Sequence, residues 1–196
     1  MGTIASELDL PKPLRANDET LRDPGMAESP LCDFAIRPAG PADVPIILSL
    51  IRDLAEYERL SHEVQATKDC LRRNLFGERH YAEALVGELR GEPVAFAVYF
   101  HNFSTFLGKP GLYLEDLFVK PAARGLGIGR AILRRLARIA VERDCGRLEW
   151  SVLDWNKPAL AFYESLGAIP MSDWTTHRVT GDALRSLAES EGKRSQ

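Results

Sequence analysis

The stretch from Leu114 to Arg130, Leu-Glu-Asp-Leu-Phe-Val-Lys-Pro-Ala-Ala-Arg-Gly-Leu-Gly-Ile-Gly-Arg, limits what this chain can fold into more than any other. Leu117, Phe118 and Val119 read as a buried strand, Pro121 breaks it, and Gly125, Gly127 and Gly129 open into a long amphipathic helix. A strand that turns through glycines into a helix exposes backbone N–H groups at the positive end of the helix dipole, where phosphate oxygens are stabilised. The spacing excludes two common nucleotide loops. Ile128, Arg130 and Ile132 break a Gly-x-Gly-x-x-Gly pattern, and no Gly-Lys-Ser/Thr follows as a Walker loop requires. Two readings stay open on spacing alone: a pyrophosphate cradle, or a tight turn whose glycines only supply positive φ.

The segments around this stretch alternate between the two hydrophobic periods. Phe34 and Ile36 share the face of a short strand, and Ile47, Leu50, Ile51 and Leu54 recur at helical spacing. Thr67 caps a second helix that carries Leu71 and Leu75 and ends at Gly77. Residues 81–89 and 94–100 read as central strands joined by a turn at Arg90-Gly91-Glu92-Pro93, and 112–119 completes an antiparallel set of three. The helix after the glycines puts Ile128, Ile132, Leu136, Ile139 and Ala140 on one face and stops at Cys145-Gly146. Residues 147–153 alternate as a strand, a helix follows from Ala159 to Leu166, and Gly167 sits at its left-handed end position. A last strand is expected from Trp174 and a short closing helix from Gly181. The order β-α-α-β-β-β-α-β-α-β describes an α/β (α+β) domain with a mixed, mostly antiparallel sheet flanked by helices.

Composition bears on partners and compartment. A chain of 196 residues with 45% hydrophobic and 27% charged content is an ordinary globular domain. Residues 1–33 hold seven acids against three bases, so they account for −4 of the net −3 and leave the rest near neutral. They are also polar and proline-rich, and are expected to form a disordered tail before a domain at 34–190. A nearly neutral domain argues against a nucleic-acid partner. Cys32, Cys70 and Cys145 are odd in number and far apart, which suggests neither a disulfide framework nor a zinc set, and the four histidines show no ligand spacing, so no metal is expected. No apolar run approaches the roughly 20 residues of a membrane span, and the N-terminus lacks a signal-peptide pattern. A reducing cytoplasm and no membrane partner fit these features.

The succession strand, Val-x-Pro, Arg-Gly-Leu-Gly-Ile-Gly, helix, strand, Asn-x-Pro-Ala-x-x-Phe-Tyr-x-x-x-Gly resembles the GNAT superfamily of acyl-CoA-dependent N-acetyltransferases over about residues 34 to 187. Phe-x-Ile-Arg-Pro-Ala at 34–39, Leu-Ala-x-Tyr-Glu at 54–58, Leu-Tyr-Leu-Glu-Asp-x-Phe-Val at 112–119 and Trp-Asn-x-Pro at 155–158 resemble the spermidine/spermine N1-acetyltransferase branch, which includes the thialysine acetyltransferases. The resemblance implies a GNAT fold and acetyl-CoA as cosubstrate. The backbone of Leu117, Phe118 and Val119 would bind the pantetheine arm, and a backbone N–H there would stabilise the developing oxyanion. Arg124, Gly125, Leu126, Gly127, Ile128, Gly129 and Arg130 would take the pyrophosphate. Asn156, Lys157, Pro158 and Ala159 would contact the coenzyme from the other side.

The resemblance also implies the catalytic roles. Tyr163 is the candidate acid, since a phenol with pKa about 10 holds its proton at pH 7 and can release it to a leaving thiolate; it also lies on the coenzyme side. A core aromatic is the alternative reading. Glu115 is the candidate base if burial raises its basicity, because only about one part in 10³ to 10⁴ of a primary amine is neutral at pH 7. Its alternative role is to bind a cation. Tyr57, Glu58, Glu63, Asp116, Glu149, Trp150 and Ser151 correspond to substrate-side positions, and acids lining a cleft suit a polyamine, a diamine or a lysine-like side chain. Asn102 to Thr105 lacks the acid that polyamine enzymes tend to carry. The related enzymes are homodimers, so a homodimer is expected. Other acceptors (an aminoglycoside, an amino sugar, a protein N-terminus), a non-catalytic CoA-binding regulator and a nucleotide-binding module are the competing readings.

Overall fold

The computed structural model describes residues 33–189. The expected disordered tail, apart from Asp33, and Cys32 lie outside the described residues. The contacts divide the chain into two compact units, one up to Glu149 and one from Trp150 onward.

The first unit is built on four antiparallel strands in sequence order, β1 (Phe34–Pro38), β2 (Glu83–Leu89), β3 (Glu92–Ser104) and β4 (Lys109–Val119), and β5 (Leu148–Trp150) extends the sheet beside β4. The β2–β3 turn is tight because Arg90 (φ 54°) and Gly91 (φ 79°) both adopt left-handed backbone, the twist that matches paired strands. Strands β3 and β4 are longer than their apolar cores suggest. They pair out to Ser104 and Lys109, so Gly108-Lys-Pro-Gly111 is mostly strand rather than loop. A Cβ at residue 111 would lie 2.2 Å from Asn102 Oδ1 and 3.0 Å from Arg147 Cγ, so those side chains would have to shift to admit one.

Helix α1 (Val44–Tyr57) buries Ile47 and Leu50 against Ala84, Phe96 and Phe118, and α2 (Lys68–Phe76), capped by Thr67 Oγ1 as expected, adds Leu71 and Leu75. The entry to α1 is fixed by an ion network. Arg37 bonds Asp43 through both terminal nitrogens (2.7 and 2.8 Å) and also bonds Glu88, while Asp43 Oδ2 accepts the Gly40 N–H at 2.7 Å. Helix α3 (Ile128–Glu142) packs on β4 and buries Ile128, Ile132, Leu136, Ile139 and Ala140, the face its periodicity marks. Its stop differs from expectation. The left-handed residue that ends it is Asp144 (φ 52°), and a Cβ on Gly146 would lie 2.7 Å from Cδ1 of the exposed Leu107 side chain.

In the second unit α4 (Lys157–Glu164) begins two residues earlier than the apolar pattern suggests and ends in Gly167 at φ 82°. Strand β5 is only three residues long, against the seven its alternation predicts. The expected strand from Trp174 is not formed: residues 174–180 have no regular structure, and α5 (Gly181–Glu189) follows directly. Alternation supplies a strand only where a neighbouring edge completes its hydrogen bonds, and no described edge does so. Trp155 and Trp174 are 52% and 73% exposed. Among the described residues no helix is long and apolar enough to cross a membrane.

Candidate active site

The glycine stretch has the geometry of a cradle. β4 ends at Val119, Pro121–Ala123 form a single 3₁₀ turn, and Gly125 (φ 78°) and Gly127 (φ 86°) take left-handed backbone before α3 starts at Ile128. Gly127 is the N-cap and no side chain caps the helix, so the first-turn N–H donors point out of a bare terminus. A Cβ at Gly125 would meet nothing within 4 Å, which leaves the approach open. Fully buried Ile128 anchors the turn beneath, and Leu126, Gly129 and Arg130 are half-buried around it. A donor set of backbone amides at a helix terminus fits a pyrophosphate. β5 joins β4 through the Gly146 N–H to Pro110 and the Leu112 N–H to Arg147 (2.8 and 2.9 Å), and its three residues run out before Leu117. The edge of β4 from Leu117 to Val119 is therefore not covered by β5, as an extended arm lying beside it would need.

Arg124 is held from three sides. Its Nε donates to the Val119 carbonyl at 2.9 Å, and its guanidinium lies 4.5 Å from the centre of the Tyr57 ring and 5.6 Å from that of Phe118. Tyr57, expected on the substrate side, thus touches the glycine loop. Sequence spacing gives no sign of this contact, because the partners are 67 positions apart.

The acidic pair on β4 is sorted by a register shift. Opposed residues on β3 and β4 include Tyr99 with Leu114, then Val98 with Asp116, so Glu115 is the extra residue of a bulge. Glu115 is exposed. Asp116 shares the face of Val98, Phe96 and Phe118, the face that α1 covers, and is half-buried. Burial, then the charges of Glu115 and Glu58, raise the Asp116 carboxyl to about 6. Glu58, the residue that ends α1, is itself pushed up by burial. Of the candidate acids, then, Glu58 and Glu115 both act on Asp116, and it is Asp116 rather than Glu115 that is half-buried.

Two further acids are engaged elsewhere. Glu149 accepts from Asn102 Nδ2 at 2.8 Å and has Arg147 Nε at the same distance, in an ion pair not aligned as a hydrogen bond. Glu63 is exposed and lies 3.4 Å from His62 Nε2.

The second unit carries the remaining candidates. Tyr163 is half-buried on α4, with its ring 5.0 Å from that of Trp150 and 5.4 Å from that of Phe162. Asn156 caps α4, its Oδ1 accepting the Ala159 N–H at 3.4 Å, and Lys157 and Pro158 form the exposed first turn. Ser151 is exposed beside Trp150. No group of three or more histidine, cysteine or acidic side chains among the described residues is arranged to hold a metal.

Comparison with known proteins agrees with this geometry. The acetyltransferase (GNAT) family profile matches residues 47–168. A thialysine N-epsilon-acetyltransferase of Bos taurus is 42% identical over 164 residues, 78% of this chain and 96% of that protein. An L-ornithine N5-acetyltransferase of Arabidopsis thaliana is 32% identical over 197 aligned positions, covering 78% of this chain and 86% of its own length. Among solved structures, an integron cassette protein from the mobile metagenome of V. cholerae superposes with a TM-score of 0.69 at 27% identity, over 81% of this chain and 99% of that one.

Proposed function

The chain belongs to the GNAT acetyltransferase family and is an N-acetyltransferase of the acyltransferase class, and we propose that it transfers the acetyl group of acetyl-CoA directly to the terminal amine of a small thialysine- or ornithine-like molecule. Acetyl-CoA supplies an acetyl group already activated as a thioester. The supporting observation is a half-buried carboxyl at Asp116, raised to about 6, just upstream of the strand edge and glycine loop that suit the coenzyme.

The chemistry assigned to each residue follows from charge. Glu58, Glu115 and Asp116 concentrate negative potential, which attracts an ammonium and disfavours neutral or anionic acceptors. A group with pKa near 6 is mostly ionised at pH 7 yet more basic than an ordinary aspartate, so Asp116 is suited to accept the ammonium proton. Tyr163 gives its phenolic proton to the departing sulfur. Leu117 to Val119 take the pantetheine arm along the β4 edge, residues 124–130 take the pyrophosphate, and Asn156 to Ala159 are further coenzyme contacts.

The acceptor is tested with a panel of thialysine, lysine, ornithine, spermidine, simple diamines and aminoglycosides, followed by release of free CoA. The proposal expects the diamino acids to give the highest kcat/KM. Preference for spermidine would move the enzyme to the polyamine class, and CoA binding without turnover on any amine would leave a CoA-binding regulator. A homodimer acting in the cytoplasm belongs to the same reading: Ile169, Met171, Trp174, Leu184 and Leu187 are each more than half exposed in the single chain, apolar side chains open to contact with a second copy. Light scattering at twice the chain mass is the expected result.

A further inference from the structure

We propose that Tyr57 is a positioning residue for the coenzyme: its ring holds Arg124 within the pyrophosphate loop, so that Tyr57 governs coenzyme affinity and not amine affinity. The inference rests on the function proposed above and assigns one of its residues to the opposite side of the reaction.

The end of α1 is a fixed platform. The Glu58 N–H bonds Leu54 O at 2.9 Å, the Arg59 N–H bonds Glu56 O at 3.0 Å, the Leu60 N–H bonds Ala55 O at 2.7 Å, and Arg59 turns the chain away at φ 62°. Tyr57, the last helical residue, therefore offers its ring from rigid backbone. Arg124 has no such support of its own, since it stands between a single 3₁₀ turn and a left-handed glycine. A long arginine side chain in that place is mobile unless something orders it. The Tyr57 face, the Phe118 ring and the Val119 carbonyl order it together. With Nε committed to Val119, the terminal nitrogens keep their forked N–H donors, the arrangement that recognises phosphate oxygens in pairs.

The same geometry argues against an amine on that ring face. A guanidinium 4.5 Å from the ring centre already occupies the negative face of the π system, and a second cation there would be repelled. Glu58, one residue on, belongs with Asp116 on the acceptor side. Adjacent residues at the end of one helix thus serve the two halves of the reaction.

The test is calorimetry of CoA binding to the full chain, with amine KM measured at saturating acetyl-CoA. Tyr57→Leu should weaken CoA binding about three- to tenfold, the size of a partly exposed cation–π contact, with amine KM within about twofold of wild type. Tyr57→Phe keeps the ring and should restore CoA binding to within about twofold. In an Arg124→Met background the Tyr57→Leu change should have no further effect, because the partner is gone. Unchanged CoA binding in Tyr57→Leu, failure of Tyr57→Phe to rescue, or an equal loss in the Arg124→Met background each overturns the inference. A wild-type chain that does not bind CoA overturns the acetyltransferase reading itself, and this inference with it.

Discussion

Asp116 and Val98 face each other across the β3–β4 ladder immediately after the register shift that leaves Glu115 without a partner. One extra residue thereby separates two adjacent carboxyls into an exposed one and a half-buried one, and burial raises the second, Asp116, to about 6.

Replacing Asp116 by Asn should lower kcat about 10²-fold or more, the usual scale for losing a general base, whereas Glu115→Gln should cost less than about tenfold through weaker cation binding alone. The pH profile separates the roles. A base must be ionised to act, so the wild-type rate should rise through about pH 6, and that limb should vanish in Asp116→Asn but persist in Glu115→Gln. Steady-state rates from pH 5 to 9 decide it, and the reverse pattern would return the role to Glu115.

The same shift predicts a stability gain from an inactivating change. The folded Asp116 holds its proton up to about 6, while an unfolded aspartate releases it near 4. Between those values the native chain binds more protons, so wild-type stability falls as pH rises across this window and the penalty is complete above it. Asp116→Asn should match wild type near pH 4 and exceed it by on the order of 2 kcal/mol at pH 7.5. Urea unfolding at both pH values measures the difference.

The site was legible in sequence as far as local pattern carries it. The strand, the glycine turn and the α3 apolar face all follow from periodicity over Leu117 to Ala140, and Gly127 at φ 86° is the positive φ its neighbours suggest. The contact between Tyr57 and Arg124 was not legible, because it depends on where α1 ends relative to β4, a tertiary quantity. Nor was the different exposure of Glu115 and Asp116, since a bulge leaves no mark in a strand of ordinary composition. Trp174 to Val179 failed in the opposite direction: alternation was present, but no described strand edge meets it.

Asp43 offers a check on how the entry to α1 is fixed. The Arg37 guanidinium, and then the Gly40 N–H, hold its carboxyl below the usual carboxylate range against the opposing effect of burial. A depressed folded value adds stability above the unfolded pKa and loses it as pH falls through the acid range. Asp43→Asn should cost about 1 to 3 kcal/mol at pH 7 and progressively less below about pH 4, read by urea unfolding. Equal cost at both ends of that range would show that shape, not charge, matters there.

Tyr163→Phe tests the acid. Phenylalanine keeps the ring that lies 5.0 Å from that of Trp150 and removes the hydroxyl that carries the proton. Turnover should fall about 10²-fold, with CoA affinity by calorimetry within about twofold. Unchanged turnover would reduce Tyr163 to a packing residue.

Gly127→Ala separates the two readings of the glycine loop. Either reading predicts a stability loss of about 1 kcal/mol, because alanine is strained at φ 86°. Only a cradle predicts more. Twisting the N-cap misaligns the first-turn N–H groups of α3 that lack any side-chain cap, and each misdirected donor weakens phosphate binding. CoA affinity should then fall more than about tenfold, well beyond what the stability loss explains, while dephosphorylated pantetheine, lacking the pyrophosphate, should bind the variant and wild type alike. If CoA and pantetheine lost affinity equally, the glycines would be serving the turn and not the phosphates.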